Sequence, residues 1–438
     1  MATLGARLFL ISGLLAATAA PHVSGIHSST STSPPSAISG QCPNQPAGRL
    51  EYDPLRKCPL PGVLGIIPDI EPSPETPWTL TPKCVGEEQK ISNTTSRVHC
   101  IFTDGNFRTG HGTSLITTTT VAAHLVGLEA FNDRPARLEA AKRDAVPAYE
   151  IVELEGRGKG AVATRDIRRG EIIMVDVPAL LVGTEFLHDV RAHHRRRLIK
   201  QAINRLPGKT RDEVWSLSRN NGEYEIDAIM GANANSVAIS DNGIHVGIFP
   251  KVSRINHSCR PNAYYRFSET RLTMEVVSYH TIEKGEEITM SYVPLETKRQ
   301  ERRKYLQDNW GIDCQCSLCK ASDYDQNESE ASRGRINELR DSILNARNNG
   351  FFQDAINIAE DWHLVSEWER VPPLAPEYHD ILAELYWRKG ELVNATRFGR
   401  MALDEWVKFG SVDDDQLEHA RVFLNQVWPV AEKRRKGE

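Results

Sequence analysis

Three cysteines in the second half of this 438-residue chain have the spacing of a metal site. Cys314, Cys316 and Cys319 lie within six residues, and ligands this close in sequence can surround one ion. Cysteines two residues apart are poorly placed for a disulfide to each other, which disfavours two separate disulfides. The fourth ligand must come from elsewhere in the chain. Cys259 is the only other cysteine in the second half of the sequence. We therefore predict a structural Zn²⁺ site formed by Cys259, Cys314, Cys316 and Cys319.

Three short motifs near these cysteines carry polar side chains that could bind a ligand or act on it. They are the glycine turn 156–160 (G-R-G-K-G), the run 256–262 (N-H-S-C-R-P-N) and the run 285–292 (G-E-E-I-T-M-S-Y). The glycine turn alone is weak evidence, because no helix follows it to form a phosphate-binding unit. A single histidine or strand-end tyrosine most often serves packing, so the motifs gain meaning only together.

Together, these motifs resemble the SET-domain protein lysine methyltransferases. The run 256–262 matches the family pattern N-H-S-C-x-P-N at every fixed position, and 285–292 matches G-E-E-x-x-x-x-Y. The cysteine cluster resembles the post-SET zinc site of that family. The resemblance covers residues 149–319 well, the C-terminal part loosely and the first 140 residues not at all.

The resemblance implies sites for S-adenosyl-L-methionine and for a target lysine. In the family, the glycine turn wraps the methionyl end of the cofactor, where glycine permits a close approach of the backbone. The implied cofactor contacts are Arg157, Gly158, Lys159, Gly160, Asn235, Asn256, His257 and Tyr292. Tyr292 is also the implied catalytic residue, and Trp310 is the implied wall of the substrate channel. Ile312 departs from the pattern, because relatives often present an aromatic side chain to the adenine at this position.

The implied reaction is methyl transfer from S-adenosyl-L-methionine to a lysine of a protein substrate, histone or non-histone. Free lysine has a pKa of about 10.4 and is mostly protonated at neutral pH. A narrow apolar channel lowers that pKa, and alignment with the methyl donor supplies much of the rate. We expect the Tyr292 hydroxyl to orient the amine rather than to act as a strong base, because a tyrosine pKa is about 10. The alternatives are a SET fold kept as a non-catalytic protein-binding module and a secreted, disulfide-containing binding protein.

The arrangement of the motifs resembles one branch of the family. That branch has a split SET domain, whose insertion carries a MYND zinc finger, and a helical C-terminal domain. Residues 184–235 of this chain contain no cysteine, so binding of partners or DNA through a MYND finger is not implied.

The remaining pattern predicts an α+β fold in which a β-rich SET-type domain of small sheets, with a helical insertion, precedes an α-helical domain. Short β-branched runs predict strands at 149–154, 160–164, 171–177, 236–239, 272–278 and 287–292. From residue 335 onward, apolar residues recur at helical spacing, and one helix–turn–helix resembles a tetratricopeptide repeat. The predicted division is a signal peptide (1–20), a Ser/Thr/Pro linker (21–41), a Cys/Pro-rich region (42–112), a helical connector (113–147), the catalytic domain (148–320, insertion 184–232), an acidic linker (321–334) and the helical domain (335–438).

The first part of the chain has features of a secreted protein. An apolar run after Arg7 resembles a signal peptide and is too short to span a bilayer, which takes about 20 residues. The early cysteines Cys42, Cys58, Cys84 and Cys100 predict two disulfides with three possible connectivities, or else free thiols. Asn93 begins a glycosylation sequon.

Two further expectations concern location and partners. The apparent signal peptide predicts entry into the secretory pathway. The alternative is the nucleus or cytoplasm, because thiolate zinc sites favour reducing conditions. The net charge of −5 argues against general nucleic-acid binding, and the basic run 193–197 is expected to be a solvated helix face. No transmembrane segment is predicted. The expected partner is a protein substrate with a target lysine, and the helical domain is a second candidate surface for a protein partner.

Overall fold

The fold is described from a computed structural model of the chain. The described residues are 65–66, 76–86, 97–132, 147–239, 243–295, 297–369, 375–410, 413 and 415–436. The predicted signal peptide and linker, Cys42, Cys58 and the sequon at Asn93 lie outside them.

The described strands form three sheets. The strands are β1 Gly65–Ile66, β2 Leu80–Gly86, β3 Val98–Asp104, β4 Thr113–Thr118, β5 Tyr149–Leu154, β6 Gly158–Ala163, β7 Ile172–Asp176, β8 Leu180–Gly183, β9 Ala234–Ala238, β10 Ile244–Ile248, β11 Asn256–His257, β12 Ala263–Ser268, β13 Thr273–Ser278 and β14 Glu287–Met290. Their orders are β1-β2-β3-β4-β8-β10-β9, β11-β14-β6-β5 and β12-β13-β7.

Apart from one distorted turn at Phe107–Gly110, the described α-helices lie in the segment before β5, in an insertion between β8 and β9 and in the region after β14. They are α1 Thr119–Val126, α2 Glu129–Asn132, α3 Thr184–Asp189, α4 Ala192–Asn204, α5 Gly208–Trp215, α6 Glu225–Asn233, α7 Arg299–Trp310, α8 Ser317–Lys320, α9 Asp323–Asn348, α10 Phe352–Trp368, α11 Ala375–Arg388, α12 Leu392–Phe409 and α13 Asp415–Lys436. The predicted α+β fold class, with small sheets, a helical insertion and a helical C-terminal region, is confirmed.

The four-stranded sheet brings the three motifs together. β11 pairs in parallel with β14, so that Asn256 lies beside Thr289 and His257 beside Met290. β14 pairs antiparallel with β6, whose hairpin with β5 contains the glycine turn. Residues about 100 and 130 positions apart in sequence therefore meet at one edge of a small sheet.

The seven-stranded sheet contradicts two predicted boundaries. β2 and β3 lie in the region expected to be separate, and β4 lies at the start of the expected helical connector; β4 pairs in parallel with β8 of the SET-type domain. The threonine-rich run of β4 favours a strand, while its partner strand is more than 60 residues away and gives no local signal. Strands β2, β3 and β4 therefore belong to the core of the domain.

The insertion α3–α6 covers one face of this sheet. Leu198, Ile199, Ala202 and Ile203 of α4 are buried at helical spacing. They share a core with Ile101 of β3 and other apolar residues of the sheet. The insertion is thereby fixed to the sheet.

The C-terminal helices α9–α13 pack in sequence order, each against the next, around a core that includes Trp362 and Leu382. The predicted acidic linker at 321–334 is wrong, because this segment is the first half of α9. Ser322 caps the helix by accepting from the backbone N–H of Asp325. Asp323 and Asp325 in the first turn favour the positive end of the helix dipole. The acidic composition thus reflects a helix start.

Two further findings bear on the predicted N-terminal region and membrane contact. Cys84 and Cys100 lie directly opposite each other in β2 and β3 and form a disulfide. For the described part of the chain, no helix has the length and apolar character needed to cross a bilayer.

Candidate active site and metal centre

The four cysteines predicted to bind zinc form one compact cluster. The Cys259 Sγ atom lies 3.9 Å from that of Cys314 and 3.6 Å from that of Cys319. With Cys316 included, all four sulfurs lie within 4.8 Å of one another. A tetrahedral zinc site with Zn–S bonds of about 2.3 Å requires S···S separations of about 3.8 Å. The donor set and its dimensions therefore fit a structural Zn²⁺ ion.

Local structure explains how the three clustered cysteines reach Cys259. Helix α7 ends at Trp310, and Gly311 follows in the left-handed conformation with φ of 68°, which glycine adopts without strain. The chain then turns back through Cys314 and Cys316 into the short helix α8, which carries Cys319. Leu318 packs with Leu306 beneath the cluster.

The sulfurs strongly affect one another's pKa values. Hydrogen bonds with neighbouring thiols, that of Cys259 first, lower the pKa of Cys314 and bring the pKa of Cys316 to about 5. Hydrogen bonding to Cys314 raises the pKa of Cys259 itself. Because zinc binds thiolates, two of the four ligands already favour the form that binds metal.

His257 connects the cluster to Tyr292. Its Nδ1 atom accepts from the backbone N–H of Tyr292 at 3.0 Å, and its Nε2 atom lies 3.3 Å from the Sγ atom of Cys259. Since Nδ1 accepts, the neutral ring carries its hydrogen on Nε2 and donates to the sulfur. The ring is 4% exposed and both nitrogens are used, so a cofactor contact at this position would have to involve the backbone.

Tyr292 lies in an aromatic group beside the metal cluster. Its hydroxyl donates to the Ile255 carbonyl at 2.8 Å, and its ring centroid lies 5.2 Å from that of Trp310. Burial raises the pKa of Tyr292 well above its usual value, so the group is a hydroxyl donor rather than a phenolate at neutral pH. The Trp310 indole donates to the Ala232 carbonyl at 3.0 Å, which ties α7 to the end of the insertion. Ile312 packs in the same cluster.

Asn256 is held by the other two motifs. Its amide donates to Glu287 Oε1 at 3.0 Å, and Glu287 forms an ion pair with Arg157. Arg157 also donates to the His257 carbonyl at 3.1 Å. A Cβ atom at Gly160 would lie 2.8 Å from the Asn256 amide nitrogen, so a larger residue there would displace the Asn256 side chain. The close approach that the sequence suggested for a ligand is here made by a side chain of the protein.

The remaining predicted cofactor residues lie around this group. Gly158 has a φ of +65° at the start of β6, a backbone conformation that favours glycine. Lys159 is exposed and lies opposite Glu153 of β5. Asn235 lies beside Gly247 in β10, and its amide donates to the Asn233 carbonyl at 3.1 Å.

Comparison with known proteins adds an independent observation. Residues 158–293 match the family model described as SET domain. The chain contains a SET domain. Its relatives include histone-lysine N-methyltransferase SMYD3 of Homo sapiens, with 28% identity over 33% of this chain and 34% of that protein. Histone-lysine N-methyltransferase set5 of Schizosaccharomyces pombe has 26% identity over 40% of this chain and 51% of its own length. N-lysine methyltransferase SMYD2 of Homo sapiens has 32% identity over 26% of this chain and 28% of that protein. The chain thus spans between about a quarter and a half of these relatives.

The SET domain also contains a residue whose role the sequence did not indicate. Asn262, the last residue of the run 256–262, is buried. Its amide donates to Glu286 Oε1 and to the Glu287 carbonyl, each at 2.9 Å, and its oxygen accepts from the Thr289 N–H at 2.8 Å. It therefore fixes the loop that carries Cys259 to β14, so one side chain joins the second motif to the third.

Proposed function

We propose that the protein is an S-adenosyl-L-methionine-dependent protein lysine methyltransferase. The observation that carries the proposal is that Asn256 and His257 lie on β11, which pairs in parallel with β14. His257 joins Tyr292, just beyond the end of β14, to Cys259 of the cluster. The names of the relatives, which are histone-lysine and N-lysine methyltransferases, support the same activity. We infer a protein lysine, histone or non-histone, as the substrate.

The cofactor contacts are proposed around the glycine turn and β11. S-adenosyl-L-methionine, when bound, supplies a methyl group on a positively charged sulfur. Asn256 and the backbone of His257 would hold the cofactor, together with the turn residues Arg157, Gly158, Lys159 and Gly160 and, from β9, Asn235. The Glu287 carboxylate keeps the Asn256 amide in one orientation, so the contact is preorganised.

Tyr292 and Trp310 are proposed to bind and orient the target amine. The partly buried Tyr292 hydroxyl is kept protonated and donates to the Ile255 carbonyl, so its oxygen can accept a hydrogen bond from the amine N–H. This directs the amine lone pair toward the methyl donor. The Trp310 ring beside it supplies an aromatic wall, which also attracts a methylated ammonium. Exclusion of water by these rings favours the neutral amine.

Zinc is proposed to have a structural role in a post-SET arrangement. Cys259, Cys314, Cys316 and Cys319 would provide a closed set of four thiolates, which leaves no ligand position for substrate. The ion would hold the segment after α7 against the loop that carries Asn256. The insertion, α3–α6, would act without a MYND finger.

Two observations on the cysteines favour different cellular compartments. A four-thiolate zinc site favours the reducing conditions of the nucleus or cytoplasm, and relatives named for histone substrates agree with that location. The disulfide between Cys84 and Cys100 favours the secretory route instead. We propose the nucleus or cytoplasm for the active protein; a mobility shift after glycosidase treatment of the cell-derived protein would contradict it.

The test of the activity is transfer of a labelled methyl group to protein lysine by the purified full chain. Tyr292→Phe removes only the hydroxyl, so we expect turnover to fall by about 10²-fold or more, in the range of a lost transition-state hydrogen bond. Binding of S-adenosyl-L-methionine, measured by calorimetry, should change little. Binding of the cofactor without any transfer to a broad set of lysine-containing proteins would favour the non-catalytic binding module instead.

A further inference from the structure

A buried ion pair lies where the helical domain meets the SET domain. Arg333, from the middle of α9, is 1% exposed, and Glu369, at the end of α10, is fully buried. The Arg333 Nε atom donates to Glu369 Oε2 at 2.9 Å, and Ser329 donates to the same oxygen. A buried pair of this kind persists only where each charge is fully hydrogen-bonded.

The two terminal nitrogens of Arg333 reach into the SET domain. Nη2 donates to the Cys259 carbonyl at 2.7 Å, and Nη1 donates to the Leu295 carbonyl at 2.8 Å. On the other side of the pair, Arg260 donates to Glu369 Oε1 at 3.3 Å. Cys259, a proposed zinc ligand, and its neighbour Arg260 are thus both hydrogen-bonded to the helical domain.

The two carbonyls follow the two strands that form the site. Cys259 comes two residues after β11, and Leu295 comes three residues after Tyr292, beyond the end of β14. β11 and β14 run in parallel, so their continuations leave the sheet side by side. A single planar guanidinium bridges these continuations and fixes the distance between them.

We propose that Arg333 is a positioning residue, through which the helical domain sets the spacing between the metal-binding loop and the segment after Tyr292. Loss of the two hydrogen bonds from Arg333 makes the position of Cys259 less fixed, so that zinc is released faster, and it displaces Tyr292. The effect on catalysis rests on the proposed function, whereas the effect on zinc does not and can be measured without substrate.

The fork geometry makes lysine a sensitive replacement. The side chain of Arg333→Lys retains the positive charge opposite Glu369 but presents one point donor instead of a planar pair of terminal nitrogens. It can satisfy one of the two carbonyls at most in the present geometry. This variant therefore tests the two hydrogen bonds to the carbonyls while the positive charge is retained. It is less disruptive than a variant that removes the charge.

The matched control is Arg347→Met on the same helix. Arg347 forms a partly buried ion pair with Glu384 of α11, at 3.1 Å, within the helical domain. Its loss is expected to reduce the stability of that domain without moving either carbonyl. A melting curve for both variants shows whether their losses of stability are comparable.

The experiment measures the rate at which the full-length zinc-bound protein gives its metal to the coloured chelator 4-(2-pyridylazo)resorcinol. For Arg333→Lys we expect transfer about 10–100-fold faster than in the wild type, the size seen for outer-shell partners of metal ligands, and for Arg347→Met the wild-type rate. In a methylation assay, Arg333→Lys should lower kcat with little change in cofactor binding.

Several outcomes distinguish the possibilities. Wild-type zinc transfer in Arg333→Lys, or equal acceleration in both variants at equal loss of stability, would overturn the proposal. Faster zinc transfer in Arg333→Lys alone, in a protein that transfers no methyl group, would support the positioning role and count against the proposed function.

Discussion

The described part of the chain contains two groups of sulfur atoms, and their surroundings give them different chemistry. Cys84 and Cys100 face each other across neighbouring antiparallel strands, so each sulfur meets one partner and the two form a disulfide. Cys259 lies two residues after β11 and meets three cysteines of a distant segment, without a disulfide to any of them. Regular strand pairing produces a covalent link, whereas convergence of irregular segments produces a ligand set.

The difference extends to function. The disulfide links β2 and β3. In the order of the seven-stranded sheet, these strands are far from β9, which carries the predicted cofactor contact Asn235. The cluster, by contrast, contacts the ring of His257, which accepts from the N–H of Tyr292. Changes at the cluster should therefore alter the proposed methyl transfer, while changes at the disulfide should alter stability alone. The predictions below test that contrast, from the largest expected effect to the smallest.

The largest effect is expected from His257→Leu, which preserves bulk but removes both ring hydrogen bonds. The Cys259 sulfur loses its donor, and zinc affinity should fall about 10–100-fold, as for other outer-shell partners. The buried Tyr292 N–H also loses its acceptor, at a cost of about 1–3 kcal/mol, and methyl transfer should fall with it. Competition with a chelator of known zinc affinity measures the first effect and a methylation assay the second. Unchanged zinc affinity would separate the two sites.

Replacement of the disulfide should give the opposite result. With Cys84→Ser and Cys100→Ser together, the unfolded chain loses a cross-link over a sequence separation of 16 residues, and the free energy of unfolding should drop by about 3 kcal/mol. Urea denaturation followed by circular dichroism gives this value. The zinc content and the specific activity below the transition should equal those of the wild type; loss of either would mean that the two sulfur groups are coupled.

A smaller effect is expected from pH in the sheet that carries the disulfide. Burial lowers the pKa of His245, in β10, to about 4, against about 6.5 in the unfolded chain. The neutral ring is favoured in the folded state, so this stability is present above pH 6.5 and is lost as the pH falls toward 4. Between pH 7 and pH 5 the contribution is about 2 kcal/mol. Between pH 7 and pH 5, the unfolding free energy of His245→Gln should change by about 2 kcal/mol less than that of the wild type. An equal change in both proteins would contradict the assignment.

The parts of the site that lie in contiguous motifs could be predicted from the sequence. The spacing of Cys314, Cys316 and Cys319 identified three sulfurs that do gather with Cys259, and the strand runs around the glycine turn and Gly285 correspond to β5, β6 and β14. These signals are local, because three of the four cysteines, and the residues of each strand, are close in the chain.

The parts that were missed depend on contacts between distant residues. The pairing of β4 with β8 gives no signal in either segment alone, so the sequence predicts a separate N-terminal region. The sequence predicts that Arg333 lies in an exposed linker, because a charged composition indicates exposure unless a buried partner such as Glu369 is known. The role of the His257 ring was missed since a motif names a residue and not the direction of its side chain.

The central claim is that the cysteine cluster and the proposed transfer site form one unit. The most direct measurement is a stepwise chelator titration of the full chain, in which bound zinc per chain and the rate of methyl transfer to a lysine substrate are followed in the same samples, with Zn²⁺ added back at the end. The account predicts that the rate falls in proportion to zinc, from one ion per chain, and returns when Zn²⁺ is restored. A full rate in protein that has lost its zinc would contradict it.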